Sequence, residues 1–249
     1  MNSRLLSLLL AVAAMVMSGC ASTSPKADPF ENINRVTYKV NDVLDKAILT
    51  PVAKGYQAVI PEFARTGISN VFNNIGDVAT AVNNLLQGKP EDAANDVGRV
   101  LLNSTLGIFG LIDIATPGGL EKHDEDFGQT LGKWGVGSGP FLVLPLMGPS
   151  TLRDGPARFV DSYAGYYRYV HHIRTRNTAF GVEIIDLRAH LLGASDTLDT
   201  AALDKYQFVR DAYMQRRLYQ VHDGKVPQAL KDKLEDDLEP QSKPAEAKK

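Results

Sequence analysis

Residues 132 to 156 read GKWGVGSGPFLVLPLMGPSTLRDGP, and no other stretch of this chain restricts its fold so severely. Glycines stand at 132, 135, 137, 139, 148 and 155, and prolines at 140, 145, 149 and 156. Glycine gives up too much backbone freedom to favour a helix, and proline lacks the N–H and clashes with the preceding turn, so a long regular helix is excluded. Yet the middle, from Phe141 through Leu142, Val143, Leu144, Pro145 and Leu146 to Met147, is wholly apolar. In water such a loop would be an exposed sticky patch. Facing lipid, its irregular backbone would leave polar groups unpaired. Both conflicts vanish if the segment lies at membrane depth, packed on protein and bordering a polar cavity. A buried core loop of a soluble domain relieves them equally well, and physics alone leaves the two readings level.

The remainder carries helical periodicity. Alternating segments of about ten residues, the mark of an outer-membrane barrel, are missing. The expected fold is therefore all-α, a single helical domain with one irregular Gly/Pro-rich apolar hairpin segment. Asp28 is placed as an N-cap, Pro29 at the first helical position and Glu31 closing a capping box. That helix should run to about Leu49 and stop near Pro51, and a second stretch should end before Pro61.

Then Ile68, Val71, Phe72, Ile75, Val78, Ala79, Val82, Leu85 and Leu86 fall on one stripe. The other side holds Asn70, Asn73, Asn74, Thr80, Asn83 and Asn84, with Asp77 as its only charge. Such an amide face either lines a polar, uncharged passage, with Asn73, Asn74, Asn83 and Asn84 as candidates, or is simply solvated. From Val100 to Ala115 the chain is apolar nearly all round, too short to span a bilayer. It fits a core helix or a lipid-contacting one. One or two turns are expected over 127–134 and longer helices over 151–173 and 178–192, the latter with Phe180, Ile184, Leu187 and Leu191 on one face. A last helix covers about Leu203 to His222, with Tyr206, Tyr213 and Arg217 along one side. A charged tail follows, holding a short helix (228–238) and then disorder.

The N-terminus is an address. Arg4, an apolar run from Leu5 to Met17, and Ser18-Gly19 before Cys20 form a secretory leader ending in a lipobox. The boundaries expected are 1–19 for the signal peptide, 20–27 for a lipidated tether, 28–224 for the helical domain and 225–249 for the tail. Acyl chains on Cys20 contribute about 0.8 kcal/mol per buried methylene, enough for a lasting anchor. Ala21 after the cysteine, with no Asp there, implies by analogy sorting to the outer membrane. The formal charge of the whole chain is −2. Nothing in that balance suits nucleic acid.

Enzyme signatures are missing as well. There is no G-x-S-x-G elbow around Ser138 or Ser150, and Ser150 or Thr151 reads better as a helix cap. No metal-ligand spacing joins the five histidines, and Gly135, Gly137 and Gly139 lack the phosphate-loop spacing and its Lys. No cofactor, catalytic residue or metal site is expected. Arg153-Asp154 reads as a local ion pair or a head-group contact.

The sequence resembles the MlaA family, also called VacJ lipoproteins. The likeness rests on Cys20 with its lipobox, Asp28-Pro29-Phe30-Glu31, Asn34-Arg35, Tyr38 and Pro51-Val52-Ala53. It continues through Asn70-Val71-Phe72-Asn73-Asn74 and Asn83-Asn84-Leu85-Leu86-Gln87-Gly88. The most specific part is Phe127-Gly128-Gln129-Thr130-Leu131-Gly132, then Trp134-Gly135-Val136-Gly137, Gly139-Pro140, Leu144-Pro145-Leu146 and residues 148 to 155. The resemblance spans roughly 28 to 220. It implies a ring-like helical body in the inner leaflet of the outer membrane, with an amphipathic channel and a trimeric porin beside it. It further implies extraction of misplaced phospholipid from the outer leaflet and delivery to a soluble periplasmic carrier of the Mla pathway. Gly135, Gly137, Gly139, Pro140, Phe141, Leu142 and Pro145 are then the candidate channel or gate segment. A structural lipoprotein that organises porins is the alternative, with a membrane-anchored lipase behind it.

Overall fold

A computed structural model describes residues 28–165 and 169–238. Its helices are α1 (Glu31–Leu44), α2 (Thr50–Val59), α3 (Glu62–Leu86), α4 (Pro90–Thr105), α5 (Phe127–Lys133), α6 (Asp154–Ala164), α7 (Ile173–Ala201), α8 (Lys205–Val221) and α9 (Gln228–Leu238). Between α5 and α6 lie two short antiparallel strands, β1 (Phe141–Leu144) and β2 (Gly148–Thr151). The fold is the expected single helical domain, with the Gly/Pro-rich segment forming a true β-hairpin.

Several local expectations are corrected. The first helix begins at Glu31, not at an Asp28 cap, and its N-cap position, Phe30, makes no side-chain cap. Asp28 is buried instead, its carboxylate accepting from Asn34 and from the Tyr206 hydroxyl. Nor does helicity stop near Pro51. A π-helical turn, Asp45–Leu49, joins α1 to α2, and the Thr50 N–H reaches back to the Asp45 carbonyl. The wider turn gives the Pro51 ring room that a regular α-helix would deny it. Arg188 of α7 fixes this turn, with Nε 2.6 Å from Asp45 Oδ1 and a second nitrogen 3.0 Å from Thr50 Oγ1. Ile60 is extended, as the residue before Pro61 should be.

The run after Val100 is not one helix. α4 ends at Thr105, and residues 106 to 112 turn, with Ile108, Phe109 and Gly110 at positive φ. The region read as one helix over 151–173 is β2 followed by the shorter α6, because Thr151 is paired with Phe141 across the hairpin. α7 is longer than expected at both ends. Thr151 Oγ1 accepts from Asp154 N at 3.1 Å, but the N-cap position of α6 is Arg153, which makes no side-chain cap.

The helices are turned inside out. In α1, Ile33, Val36, Val40 and Val43 recur at helical spacing and all are exposed. In α3 the apolar stripe is present but faces outward through Val78, Val82, Leu85 and Leu86, while Asn74, Asp77, Thr80, Asn83 and Asn84 are buried. In α7, Phe180, Leu187 and Leu191 are exposed too. Among the described residues, buried polar and charged side chains outnumber buried apolar ones. The apolar cores are small: Ala53, Ala189 and Leu192 with Tyr56 where α2 meets α7, and Phe141, Val143 and Tyr206 with Tyr38, Tyr213 and Met214 under the hairpin. No described helix is long and apolar enough to cross a membrane.

Candidate functional site

The hairpin is held by helix α1. β1 pairs with β2 along one edge, in the register Phe141 with Thr151 and Leu144 with Gly148. Its other edge would be left open, but two asparagines close it. Asn34 Nδ2 donates to the Phe141 carbonyl at 3.0 Å, and Asn34 Oδ1 accepts from Val143 N at 2.8 Å. Asn41 repeats the pattern, donating to the Leu144 carbonyl at 2.9 Å and accepting from Leu146 N at 2.8 Å. Seven residues along a helix rise about 10.5 Å, and three along a strand about 10 Å. The two amides therefore meet matching points of β1, each acting as a short strand neighbour. This answers the conflict posed by the apolar Gly/Pro segment, since the backbone of β1 is paired on both sides. From the far side Arg158 donates to the Met147 and Pro149 carbonyls at 3.0 and 2.8 Å.

Beneath the hairpin, Phe141 has no exposed surface and its ring meets Tyr206 and Tyr213 edge-on at 6.2 and 6.0 Å. Beside them lies an ion cluster. Arg217 bridges two carboxylates, Asp126 at 2.6 Å and Asp154 at 3.0 Å, and Arg153 Nε adds 2.8 Å to Asp154. Burial alone would push the Asp154 carboxyl up, but Arg217 and Arg153 outweigh it and hold it at about 2. Asp126, which also caps α5 through Gln129 N, is likewise lowered against its burial by Arg217. Asp161 behaves differently. Among the described residues it accepts from a neutral donor, Phe127 N at 3.1 Å, and burial reinforced by the Asp126 charge pushes it up to about 6. Arg158, Arg216, Arg217 and Tyr213 join these carboxylates around a cleft of about 170 Å³.

The other half of the body is a polar seam between α3 and α4. Asn74 donates to Ser104 Oγ at 2.9 Å, and Asn84 to Asp96 at 2.7 Å. Asp77 takes Arg99 at 3.1 Å and Lys122 at 2.9 Å. Arg99 and Asn103 then gather the loop that follows α4, through the Leu120 carbonyl and through the Ile114 and Ala115 N–H groups.

The candidate residues separate clearly on this frame. Asn73 is exposed. Asn74, Asn83 and Asn84 are buried between elements, Asn84 at 1% exposure, with Asn83 accepting from Thr130 Oγ1 at 2.8 Å. Gly135, Gly137 and Gly139 lie exposed in the strap before β1, Gly135 and Gly139 in the left-handed region. Pro140 and Leu142 are half-buried, Phe141 is an anchor of the core, and Pro145 is exposed at the hairpin turn. Cys20 with its leader and tether lies outside the described residues. Ser150, one of the two serines weighed as a nucleophile, is fully buried. Among the described residues no group of three or more metal-ligating side chains converges. Sequence reasoning missed the functions of Asn34 and Asn41. Their signal was available: two amides seven residues apart on a helix whose other regular feature is an apolar stripe.

An apolar exterior and an interior of amides and ion pairs define an inside-out helical body, and no described helix is long and apolar enough to cross a membrane. The chain belongs to the MlaA lipoprotein family, whose model matches residues 26–220. It is 36% identical to the intermembrane phospholipid transport system lipoprotein MlaA of Escherichia coli (strain K12), over 91% of this chain and 96% of that protein. The protein of the same description from Haemophilus influenzae is 31% identical over 91% and 94%. An uncharacterized protein of Rickettsia bellii is 36% identical over 76% and 75%. A solved structure, from work on the structural basis for maintenance of bacterial outer membrane lipid asymmetry, matches with a TM-score of 0.69 at 37% identity. It covers 78% of this chain and 98% of the solved one.

Proposed function

We propose that the chain is an outer-membrane lipoprotein that takes misplaced phospholipid from the outer leaflet through an amphipathic passage and hands it to a periplasmic carrier, so maintaining lipid asymmetry. The observation that carries this reading is the inverted burial. Apolar rows such as Ile33, Val36, Val40 and Val43 are exposed, while Asn74, Asp77 and Arg99 are inside. In water that arrangement forfeits the hydrophobic effect, and against lipid it is the favourable one. The names of the Escherichia coli and Haemophilus influenzae relatives support the cargo. In this proposal acyl chains on Cys20 tether the body to the periplasm-facing leaflet, and a trimeric porin stands beside it. The chemistry is transfer rather than catalysis, drawn forward by capture in the periplasm.

Asn73 is the proposed passage residue on α3, with Asn74, Asn83 and Asn84 holding the wall behind it. The hairpin is a fixed wall, clamped by Asn34, Asn41 and Arg158, and the strap holding Gly135, Gly137 and Gly139 is the part that yields. Gly137 tests this most cleanly, because a Cβ there meets open space and its φ is ordinary. Gly137→Val should slow phospholipid transfer with an unchanged melting temperature, and normal transfer would refute the gate.

For the function itself, the protein is purified gently from membranes and examined by native mass spectrometry, with labelled phospholipid offered for transfer to a periplasmic carrier. Intact phospholipid in fixed proportion, together with transfer, supports the reading. A bare protein that moves no lipid replaces it with a porin-organising role.

A further inference from the structure

We infer that the turn of residues 106 to 112 is a tip that enters the acyl-chain layer of the bilayer and is the deepest-seated of the described parts. The inference rests on the membrane seat proposed above. The turn reads LGIFGLI, and Leu106, Ile108, Phe109, Leu111 and Ile112 are all exposed, Phe109 at 82%. Phe63, at the start of α3, adds a neighbouring apolar side chain and is itself 80% exposed. It shares an open groove with Leu111 and Ile112, whose polar lining is Glu62, Thr66 and Asn70.

Exposure alone would not identify the surroundings; the backbone does. An irregular turn in hydrocarbon must satisfy its own polar groups. Here Leu106 and Gly107 donate to the Leu102 carbonyl, Phe109 to Ser104, Gly110 to Asn103, Leu111 to Ile108 and Ile112 to Gly107. The Leu111 carbonyl accepts from Asn70 at 3.0 Å. Nearby hydroxyls are turned inward in the same way, Thr105 to the Leu101 carbonyl at 2.6 Å and Thr66 to the Glu62 carbonyl at 3.0 Å. To achieve this, Ile108 and Phe109 adopt φ of 52° and 56°. That conformation is unusual for any residue with a Cβ and more so for a β-branched one. A protein-docking loop keeps polar groups at its rim to fix orientation, and this turn spends six of its seven N–H groups internally.

The opposite end of the α3–α4 pair is charged. Lys89 pairs with Glu125 at 3.1 Å, and Lys133 with Asp223 at 2.8 Å. Trp134 lies at that end, its indole N–H on the Leu86 carbonyl at 2.9 Å. Exposed tryptophan beside charge suits the head-group level. The pair therefore has a charged end and an end whose turn is apolar, with Glu62 at its margin, which sets its polarity in the membrane.

The test uses depth-dependent quenching. Trp134 is the only tryptophan of the chain, so a W134F, F109W variant of the full lipidated protein carries a single reporter at the tip. It is reconstituted in phosphatidylethanolamine vesicles containing phospholipid brominated at shallow or deep acyl positions. The tip reporter should lose most emission to the deepest bromines and little to aqueous iodide, whereas Trp134 in the native protein should be quenched by the shallowest. Quenching of the tip reporter by iodide overturns the inference. Shielding from both iodide and every brominated lipid overturns it also, and indicates a protein crevice. If F109W does not fold, I108W places the reporter one residue away. Phospholipid transfer by the unmodified protein is measured in the same vesicles. Transfer with a wet tip sinks this inference alone, and no transfer sinks the function.

Discussion

The α3–α4 seam and the hairpin platform solve one problem by opposite means. Both must join helices while their apolar surfaces are committed elsewhere. The seam does it almost wholly with polar side chains, pairing Asp77 with Arg99, Asn84 with Asp96 and Asn74 with Ser104. The platform uses an aromatic cluster, Phe141 against Tyr206 and Tyr213, with the Arg217–Asp154 ion cluster beside it and asparagine clamps along the edge of β1. When the exterior is apolar, burial of hydrocarbon no longer distinguishes inside from outside, and directed polar contacts become the means of specifying which helices meet.

The comparison can be broken most forcefully at Arg99. Arg99→Leu leaves Asp77 buried with only half-exposed Lys122 beside it. The expected loss is about 3–5 kcal/mol in denaturant unfolding. A loss below about 1 kcal/mol would show that the seam is not held by this pair. Next comes Asn34→Ala, which orphans the Phe141 carbonyl and the Val143 N–H, at about 1–3 kcal/mol. Val143 amide exchange should accelerate while the amides of α3 and α4 keep their protection; a uniform acceleration would mean that the clamp is not local.

A pH titration sharpens the contrast within the platform. Asp154 and Asp126 have folded values below their unfolded ones, so their contribution is full above about pH 4 and is lost as pH falls through the folded values, about 2 for Asp154. Asp161 runs the other way. Its folded value of about 6 lies above the unfolded one, so its contribution is present at low pH and disappears as pH rises through 6. Asp161→Asn should flatten the melting temperature between pH 4 and 6 while sparing the fall below pH 4. An unchanged slope between those values would remove Asp161 as the source. The smallest effect belongs to an outward position. Val82, 52% exposed, replaced by Ser should alter stability in detergent by no more than about 0.5 kcal/mol. A loss of about 2 kcal/mol would place that face in a core.

Much of this was legible one residue at a time. The stripe from Ile68 to Leu86 and the amide face opposite it stand where periodicity put them, and the last helix carries Tyr206, Tyr213 and Arg217 on its packed side. The direction of the stripe was not legible, because a 3.6-residue repeat separates two faces without naming their surroundings. The helix expected across 100–115 failed for a related reason. Apolar residues fit helix and turn alike, and the break follows from Asn103 capturing the Ile114 and Ala115 N–H groups. Pro51 misled in the opposite sense, since a π-turn absorbed it.

The sequence by itself determined the helical class and the family, because periodicity and motif are local properties of neighbouring residues. It also determined that residues 132 to 156 could not form a long helix, since glycine and proline act on their own backbone. Only the tertiary structure decided that Asn34 and Asn41 complete the edge of β1, across more than a hundred residues of chain. It also decided that Asn74, Asn83 and Asn84 of α3 turn inward and that Asp161 departs from Asp126 and Asp154. A side chain's partner, its burial and its charge state depend on what the rest of the fold brings beside it, and no local pattern contains that information.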